Sequence, residues 1–335
     1  MAKGEKKGGI ENLEKKISQA LLFLFPTIIV IFYFVFRETN FKILFATLNY
    51  RYVALLFVLM IVIWLVNALK FSLIVLFSKS KLSFKKSFKI LLASIFGANI
   101  TPFYSGGAPT QVYFLSKFSQ TIGRAVAISA VYMILTLVVY LVFSLILFFA
   151  PRGFITGLKQ DFFMGLAAFV FFLSFFAFFF MRYPKKAEKI INWIYRVLLH
   201  KSGRAERIKK GISEFSEGLD FFLSQNKFSI VVTILLTLVA QCLFFLVTPV
   251  SFLALGVPFS FWEVILTQIA VQFTTSIGAS PGGIGVMEGA FAAFFRSIAG
   301  GKVAQITLLW RSATFYIPTL VGAFFFYRLL REKEQ

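Results

Sequence analysis

Six stretches of this sequence are apolar for about 20 residues or more, the length that an α-helix needs to cross a bilayer core of roughly 30 Å. They cover residues 17–36, 53–78, 124–150, 162–181, 228–256 and 303–328. Inside hydrocarbon every backbone N–H and C=O needs an internal partner, so runs of this length are helical. The sequence therefore predicts an all-α polytopic integral membrane protein, with six full spans in a single transmembrane domain.

The composition supports this fold class and excludes several functions. Of the residues, 59% are hydrophobic and 15% are charged, whereas soluble domains average about 25% charged. The net charge of +21 is carried by short segments between apolar runs, where lysines favour anionic lipid headgroups. We therefore expect no nucleic acid partner. A single histidine and a single cysteine exclude a histidine-based metal cluster and an intrachain disulfide, and we predict neither a metal nor a cofactor.

Two further apolar segments are short, and each is followed by a run rich in glycine and proline. We name residues 99–111 (NITPFYSGGAPTQ) the first break and residues 276–289 (SIGASPGGIGVMEG) the second break. Irregular backbone persists at membrane depth only inside protein or beside a watery cavity. Matched breaks in two halves of a polytopic protein indicate the central site of a transporter. Two ordinary loops between short helices, or short full spans, are the alternatives.

The basic residues predict how the chain lies in the membrane. Five lysines in 79–89, eleven lysines or arginines in 182–227 and a basic C-terminal end place both termini in the cytoplasm by the positive-inside rule. This arrangement requires each broken segment to return to its side of entry as a re-entrant hairpin, the first opening to the cytoplasm and the second to the outside. Apolar stripes in 182–227 predict basic amphipathic helices on the inner leaflet.

With those hairpins, the units 53–150 and 228–330 have the same order of elements in opposite orientation. The sequence thus predicts an inverted-topology repeat. Such repeats place a substrate site where the two broken elements meet near the membrane midplane.

The second break contains one of the few carboxylates in an apolar segment, Glu288. A charged carboxylate at the centre of a membrane costs roughly 2.5–3.5 kcal/mol or more and is a functional candidate by default. Its expected partner is Arg296 or Arg311, and a purely structural ion pair that fixes the hairpin is the alternative. The candidate substrate-binding residues of this half are Ser280, Pro281, Gly282, Gly283, Gly285, Glu288, Arg296 and Arg311.

The first break offers polar side chains and a helix start. Gly106 and Gly107 permit turns with positive φ, and a helix beginning near Pro109 would direct free N–H groups into the protein, which suits an anion such as a lipid phosphate. A structural hinge is the competing interpretation. The candidate substrate-binding residues of this half are Asn99, Thr101, Pro102, Gly106, Gly107, Gln111, Lys117 and Arg124.

Together, the two breaks resemble those of the lysylphosphatidylglycerol synthase transmembrane region family, also described as flippase-like domain proteins. An asparagine, a proline, a glycine-containing turn and a polar residue match at Asn99, Pro102, Gly106, Gly107 and Gln111. A Pro-Gly-Gly-x-Gly-x-x-Glu pattern matches at Pro281, Gly282, Gly283, Gly285 and Glu288. The resemblance covers about residues 15–330. It implies a role in translocating aminoacylated or other phospholipids, as the flippase half without the soluble domain that attaches lysine in full-length synthases.

We therefore expect a lipid transporter in a bacterial or archaeal cell membrane, not an enzyme. Its expected substrate is an anionic or zwitterionic phospholipid, with aminoacylated phosphatidylglycerol as one candidate. A separate lipid-synthesising enzyme and a second copy of the chain are further candidate partners. The alternative is a membrane enzyme subunit or a scaffold in lipid or lipid-linked glycan biosynthesis.

Overall fold

A computed structural model of the chain describes residues 46–78, 82–118, 121–149, 160–183, 227–274 and 278–332, and the single positions Tyr33, Glu217, Phe222 and Ser224. Within these residues the fold is all helical and contains no β-strand. The one β-type pairing among them is an isolated antiparallel bridge between Pro102 and Pro281. The predicted all-α class is confirmed.

The first four helices form what we call the first unit. They are α1 (Tyr50–Phe77), α2 (Phe84–Asn99), α3 (Gly107–Phe118) and α4 (Ile122–Phe148). Three of them begin at a side-chain cap, a role that short polar residues fill at helix starts. The side-chain oxygens of Asn49, Ser83 and Thr121 accept hydrogen bonds from the first turns of α1, α2 and α4. The Ser83 cap explains why α2 begins before the apolar segment that starts at Phe88.

Helix α5 (Gln160–Arg182) packs along α4, and the remaining helices form the second unit. They are α6 (Lys227–Phe245), α7 (Val247–Ala254), α8 (Phe261–Phe273), α9 (Val286–Ala299), α10 (Val303–Arg311) and α11 (Ile317–Arg331). A 3₁₀ turn at Gly300–Lys302 separates α9 from α10, and a π-helical segment at Ser312–Tyr316 separates α10 from α11.

The two units repeat the same order of elements at a constant shift along the chain. Adding 179 (281 minus 102) to the numbers of the first unit carries Pro102 onto Pro281 and the start of α3 at Gly107 onto the start of α9 at Val286. The same shift carries α1 onto α6 and α7, α2 onto α8, and α4 onto α10 and α11. Their opposite orientation in a membrane stays a prediction.

Four helical stretches of the described chain are long and apolar enough to cross a membrane. They are Tyr50–Phe77, Ile122–Phe148, Phe228–Ala254 and Val286–Arg331. These overlap the predicted spans 53–78, 124–150, 228–256 and 303–328 over nearly all of their length, and α5 covers 162–181. The predicted span 17–36 and nearly all of 182–227 lie outside the described residues. The total of six spans and the re-entrant nature of the hairpins therefore stay predictions.

The broken segments are pairs of short helices packed on each other, α2 with α3 and α8 with α9. Helix α2 also packs closely along α11 of the other unit. At that crossing a Cβ on Gly322 would lie 2.6 Å from the Leu92 carbonyl oxygen, so glycine lets the two backbones approach. The units are thus interlocked through α2 and α11.

Candidate functional site

The first and second breaks are hydrogen-bonded to each other. The bridge joins Pro102 to Pro281. Because proline has no N–H, the donors come from the residues that follow each proline. Phe103 N–H donates to the Gly278 carbonyl at 3.1 Å, and Gly282 N–H donates to the Thr101 carbonyl at 3.3 Å. The two irregular segments therefore satisfy part of each other's backbone, as buried polar groups require.

Each bridging proline is followed by two residues in the left-handed region. In the second break these are Gly282 and Gly283, with φ of 59° and 64°. In the first break they are Phe103 and Tyr104, with φ of 54° and 56°. A side chain in this conformation costs roughly 1–2 kcal/mol per residue. Backbone strain of this kind is concentrated at functional sites.

The expectation that Gly106 and Gly107 supply positive φ is wrong. The pairing with the second break imposes that conformation on Phe103 and Tyr104 instead. The two glycines serve close packing. A Cβ on Gly106 would overlap the carbonyl oxygen of Gly97, and one on Gly107 would lie 3.2 Å from the Ala98 side chain.

We expect Phe103→Gly to change the free energy of unfolding by less than about 1 kcal/mol, because relief of left-handed strain offsets the added freedom of glycine in the unfolded chain. The Phe103 side chain is 56% exposed, so little packing is lost. Tyr104→Gly is the matched contrast: it also removes a 2.6 Å hydrogen bond from the Tyr104 hydroxyl to the Gly282 carbonyl and should destabilise the fold. Thermal unfolding in detergent compares them, and equal losses would contradict this account.

Other polar residues of the breaks hold the local backbone. The Thr101 hydroxyl accepts a hydrogen bond from the Gly106 N–H at 2.7 Å. The Ser280 hydroxyl donates to the Ile284 carbonyl at 2.7 Å. The Asn99 side-chain amide donates at 2.7 Å to a threonine hydroxyl of α11. These side chains keep the breaks in one conformation and tie the first break to the second unit.

A buried ion pair fixes the second break to α10. Arg311 Nε donates to Glu288 Oε1 at 2.6 Å, and the two side chains are 3% and 1% exposed. The other carboxylate oxygen accepts from the Gly285 N–H at 2.7 Å, which caps α9. Arg311 Nη2 also donates to the Gly282 carbonyl at 3.0 Å, the oxygen that Tyr104 contacts from the first break. The pair is therefore part of the junction between the two units.

The π-helical segment begins directly after this arginine. Pro318 lies in the first turn of α11, where its ring would clash with a carbonyl of the preceding turn in a regular helix. The wider π turn at Ser312–Tyr316 relieves that crowding. It also places the Phe315 ring 4.3 Å from the Arg311 guanidinium carbon. Such π segments occur often at functional sites.

A cavity of about 550 Å³ lies beside this junction, lined by residues of both units and of α5. Its polar lining includes Asn67, Ser94, Tyr104, Gln111, Gln272 and Arg311. The Gln111 amide donates to the Ser94 hydroxyl at 3.3 Å, while its buried carbonyl oxygen has no hydrogen-bond partner among the described residues. Three apolar side chains that line the same cavity, Phe103, Met133 and Leu173, are exposed at the protein surface.

Of the predicted site residues, Gly107, Gln111 and Arg311 line this cavity. The other predicted residues of the two breaks shape the junction beside it. Lys117 lies elsewhere, with its ammonium donating to the Leu329 and Leu330 carbonyls at 2.9 and 2.8 Å.

Arg124 and Arg296 are exposed and do not line the cavity. Of the two arginines proposed as the partner of Glu288, the structure selects Arg311.

Sequence reasoning that weighed carboxylates alone missed Lys70 of α1. This lysine is 1% exposed. Its ammonium lies 3.4 Å from the Thr136 hydroxyl and 3.8 Å from the centroid of the Tyr132 ring. A lysine inside the apolar run 53–78 is itself the signal that could have identified it, because charges within spans mark functional sites.

Comparison with known proteins supports the resemblance carried by the two breaks. Residues 17–322 match the family described as the lysylphosphatidylglycerol synthase TM region. A UPF0104 membrane protein of Archaeoglobus fulgidus is 27% identical over 285 residues, covering 82% of this chain and 85% of the relative. Another, from Methanocaldococcus jannaschii, is 26% identical over 314 residues, covering 90% and 91%. No solved structure matches the chain.

Proposed function

The chain belongs to the lysylphosphatidylglycerol synthase TM region family, and on this premise we propose that it transports a phospholipid between the leaflets of a cell membrane. The observation that carries the proposal is the amphipathic cavity at the junction of the two breaks. Its interior has polar groups such as Arg311 and Gln111, and its rim exposes Phe103, Met133 and Leu173. A lipid has the same division, with a polar headgroup and apolar chains.

The size and chemistry of the cavity suit a headgroup. About 550 Å³ lies within the roughly 300–1,000 Å³ that small-molecule sites occupy. The planar guanidinium of Arg311 has donors matched to phosphate oxygens. Among the described residues, no carboxylate, cysteine or histidine lines the cavity. The side chains that line it favour binding and passage of a lipid over covalent chemistry on it.

The paired units suggest how the headgroup would pass. In transporters built from inverted repeats, one unit rocks against the other around a fixed central site. Here the junction at Pro102 and Pro281 lies beside the cavity, and both units line it. In this proposal the protein has both termini in the cytoplasm and takes an anionic or zwitterionic phospholipid, aminoacylated phosphatidylglycerol being one candidate.

We expect the purified protein to speed lipid movement across the bilayer of reconstituted vesicles, and Gln111→Leu to slow it about tenfold or more. Gln111 lines the cavity, and leucine removes its side-chain amide at similar volume. Gln305→Leu is the matched control, because the Gln305 carbonyl oxygen is also buried without a partner among the described residues, and this residue does not line the cavity. Chemical quenching of fluorescent lipids in the outer leaflet measures the rate.

Two outcomes would count against the proposal. If the fluorescent lipids are quenched at the same rate in vesicles with and without the protein, the protein does not transport lipid, and a scaffold or an enzyme subunit is favoured. Equal losses in Gln111→Leu and Gln305→Leu would leave transport in place but move the pathway away from this cavity.

A further inference from the structure

We infer that Lys70 makes the cavity selective for a phospholipid whose headgroup carries a net negative charge. The inference rests on the proposed function and names the substrate class of the same site. It is carried by a buried cation without a carboxylate partner, held by side chains that form the cavity wall.

The charge on Lys70 has only neutral neighbours in the described part of the chain. No carboxylate there lies within 4 Å of its ammonium; the three ion pairs found join Lys86 and Lys89 to Glu332, and Arg311 to Glu288. Buried charges in proteins are ordinarily paired, because an isolated one is costly. The ammonium has three N–H donors, and its nearest groups are one hydroxyl and one aromatic ring.

Lys70 lies directly behind the cavity wall. The side chains that hold it, Thr136 and Tyr132, both line the cavity. Asn67, one helical turn before Lys70 on α1, also lines it and accepts a hydrogen bond from the Tyr132 hydroxyl at 3.1 Å. The ammonium thus contacts two side chains that line the cavity. A four-carbon stem lets it approach a headgroup once it leaves the Tyr132 ring.

The repeat of the two units gives this cation a counterpart. The shift of 179 that relates the units carries Tyr132 onto position 311 (132 plus 179), which is Arg311. Arg311 of α10 therefore occupies in the second unit the position that Tyr132 of α4 has in the first, where Lys70 of α1 lies over the Tyr132 ring. Glu288 neutralises Arg311, and no described carboxylate neutralises Lys70. An anionic headgroup in the cavity would favour the protonated form of Lys70, and with Lys70 protonated the charged groups around the cavity sum to one positive charge.

One uncompensated positive charge attracts an anionic headgroup and repels a cationic one. At a separation of about 8–10 Å and an effective dielectric constant near 20, the Coulomb energy corresponds to a preference on the order of tenfold. Phosphatidylglycerol, with one net negative charge, should therefore be favoured over zwitterionic phosphatidylcholine. Its lysylated form, with one net positive charge, should be the least favoured of the three.

The test compares the movement of fluorescent phosphatidylglycerol, phosphatidylcholine and lysylphosphatidylglycerol by the full chain in phosphatidylcholine vesicles. We expect wild type to move phosphatidylglycerol about tenfold faster than phosphatidylcholine. Lys70→Met should bring that ratio close to one while the phosphatidylcholine rate is kept, and Lys70→Arg should keep the wild-type ratio. Lys302→Met, at an exposed lysine that donates to the Leu255 carbonyl outside the cavity, is the matched control and should change nothing.

Binding of the same lipids to detergent-purified protein, measured by native mass spectrometry, tests selectivity without transport. A preference for phosphatidylglycerol that Lys70→Met abolishes supports the inference even if no lipid moves, in which case the proposed transport alone fails. Equal binding and movement of the three lipids by wild type, or an unchanged ratio in Lys70→Met, would overturn the inference and leave transport standing.

Discussion

Glu288→Gln is expected to lower the free energy of unfolding by about 3–5 kcal/mol, because it leaves the buried guanidinium of Arg311 without its counter-charge. The carboxylate also caps α9 through the Gly285 N–H, so the start of that helix loosens as well. Since Arg311 lines the cavity and contacts the second break, we expect lipid movement to fall to a small fraction of the wild-type rate. Thermal unfolding and vesicle assays on the same preparation measure both effects.

The double variant Glu288→Gln, Arg311→Gln separates a structural role from a functional one. It removes both charges, so stability should return towards that of wild type, as often happens when a whole buried ion pair is replaced. We expect lipid movement to stay lost, because the cavity no longer has its guanidinium. Recovery of both stability and lipid movement would show that the pair only fixes the hairpin.

Glu332→Gln is the matched control at a solvent-accessible ion pair. Partial burial alone would raise the pKa of the Glu332 carboxyl, but hydrogen bonds and charges from Lys86 and Lys89 outweigh it and hold the pKa below its usual range. A lowered pKa means that this pair stabilises the fold near neutral pH and that its contribution is lost as the pH falls through that pKa. Exposed pairs contribute roughly 0–1 kcal/mol, so the control should have a far smaller effect than Glu288→Gln.

Gly282→Ala is expected to have the second large effect, a loss of about 3 kcal/mol or more. Its φ of 59° costs a side chain roughly 1–2 kcal/mol. The added Cβ would also overlap the Phe315 ring and lie 2.7 Å from the Asn99 carbonyl oxygen. The bridge between the breaks would have to open to admit it, so we expect lipid movement to cease in any protein that still folds.

Gly289→Ala is the matched substitution in the same sequence motif. Gly289 lies in α9, and a Cβ there would meet no atom within 4 Å. Alanine in a helix is favoured over glycine by about 1 kcal/mol, so this variant should be as stable as wild type or more so and should transport normally. If Gly282→Ala and Gly289→Ala unfold at the same temperature, the close packing at the junction is not essential.

The helical class and the position of the two breaks could be predicted, because apolar length and Gly/Pro content are local signals. The residues of the first break that take positive φ could not be predicted. Local preference points to Gly106 and Gly107, whereas pairing with a segment about 180 residues away imposes left-handed backbone on Phe103 and Tyr104. Tertiary contact here outweighs the intrinsic preference of the residue.

Among the charged residues, too, some features could be predicted from the sequence and others could not. Glu288 could be recognised from the cost of a charge at depth. Its partner could not be chosen between Arg296 and Arg311, because the turn at Gly300–Lys302 decides which arginine folds back onto the carboxylate. Lys70 carried the same local signal as Glu288, but only the structure shows that no described carboxylate compensates it.

The bridge between Pro102 and Pro281 has a mechanical consequence. Two backbone hydrogen bonds hold the breaks together at one point, and in the rocking motion proposed above this point would serve as the pivot for the helices that leave it. Helix α2, with 16 residues, is a lever arm about 24 Å long at 1.5 Å per residue. A rotation of about 10° of α2, together with the α11 helix packed along it, would therefore move the far end of α2 by about 4 Å, while the hydrogen-bonded segments of the breaks would move little. Such a rotation would widen one side of the bundle and narrow the other.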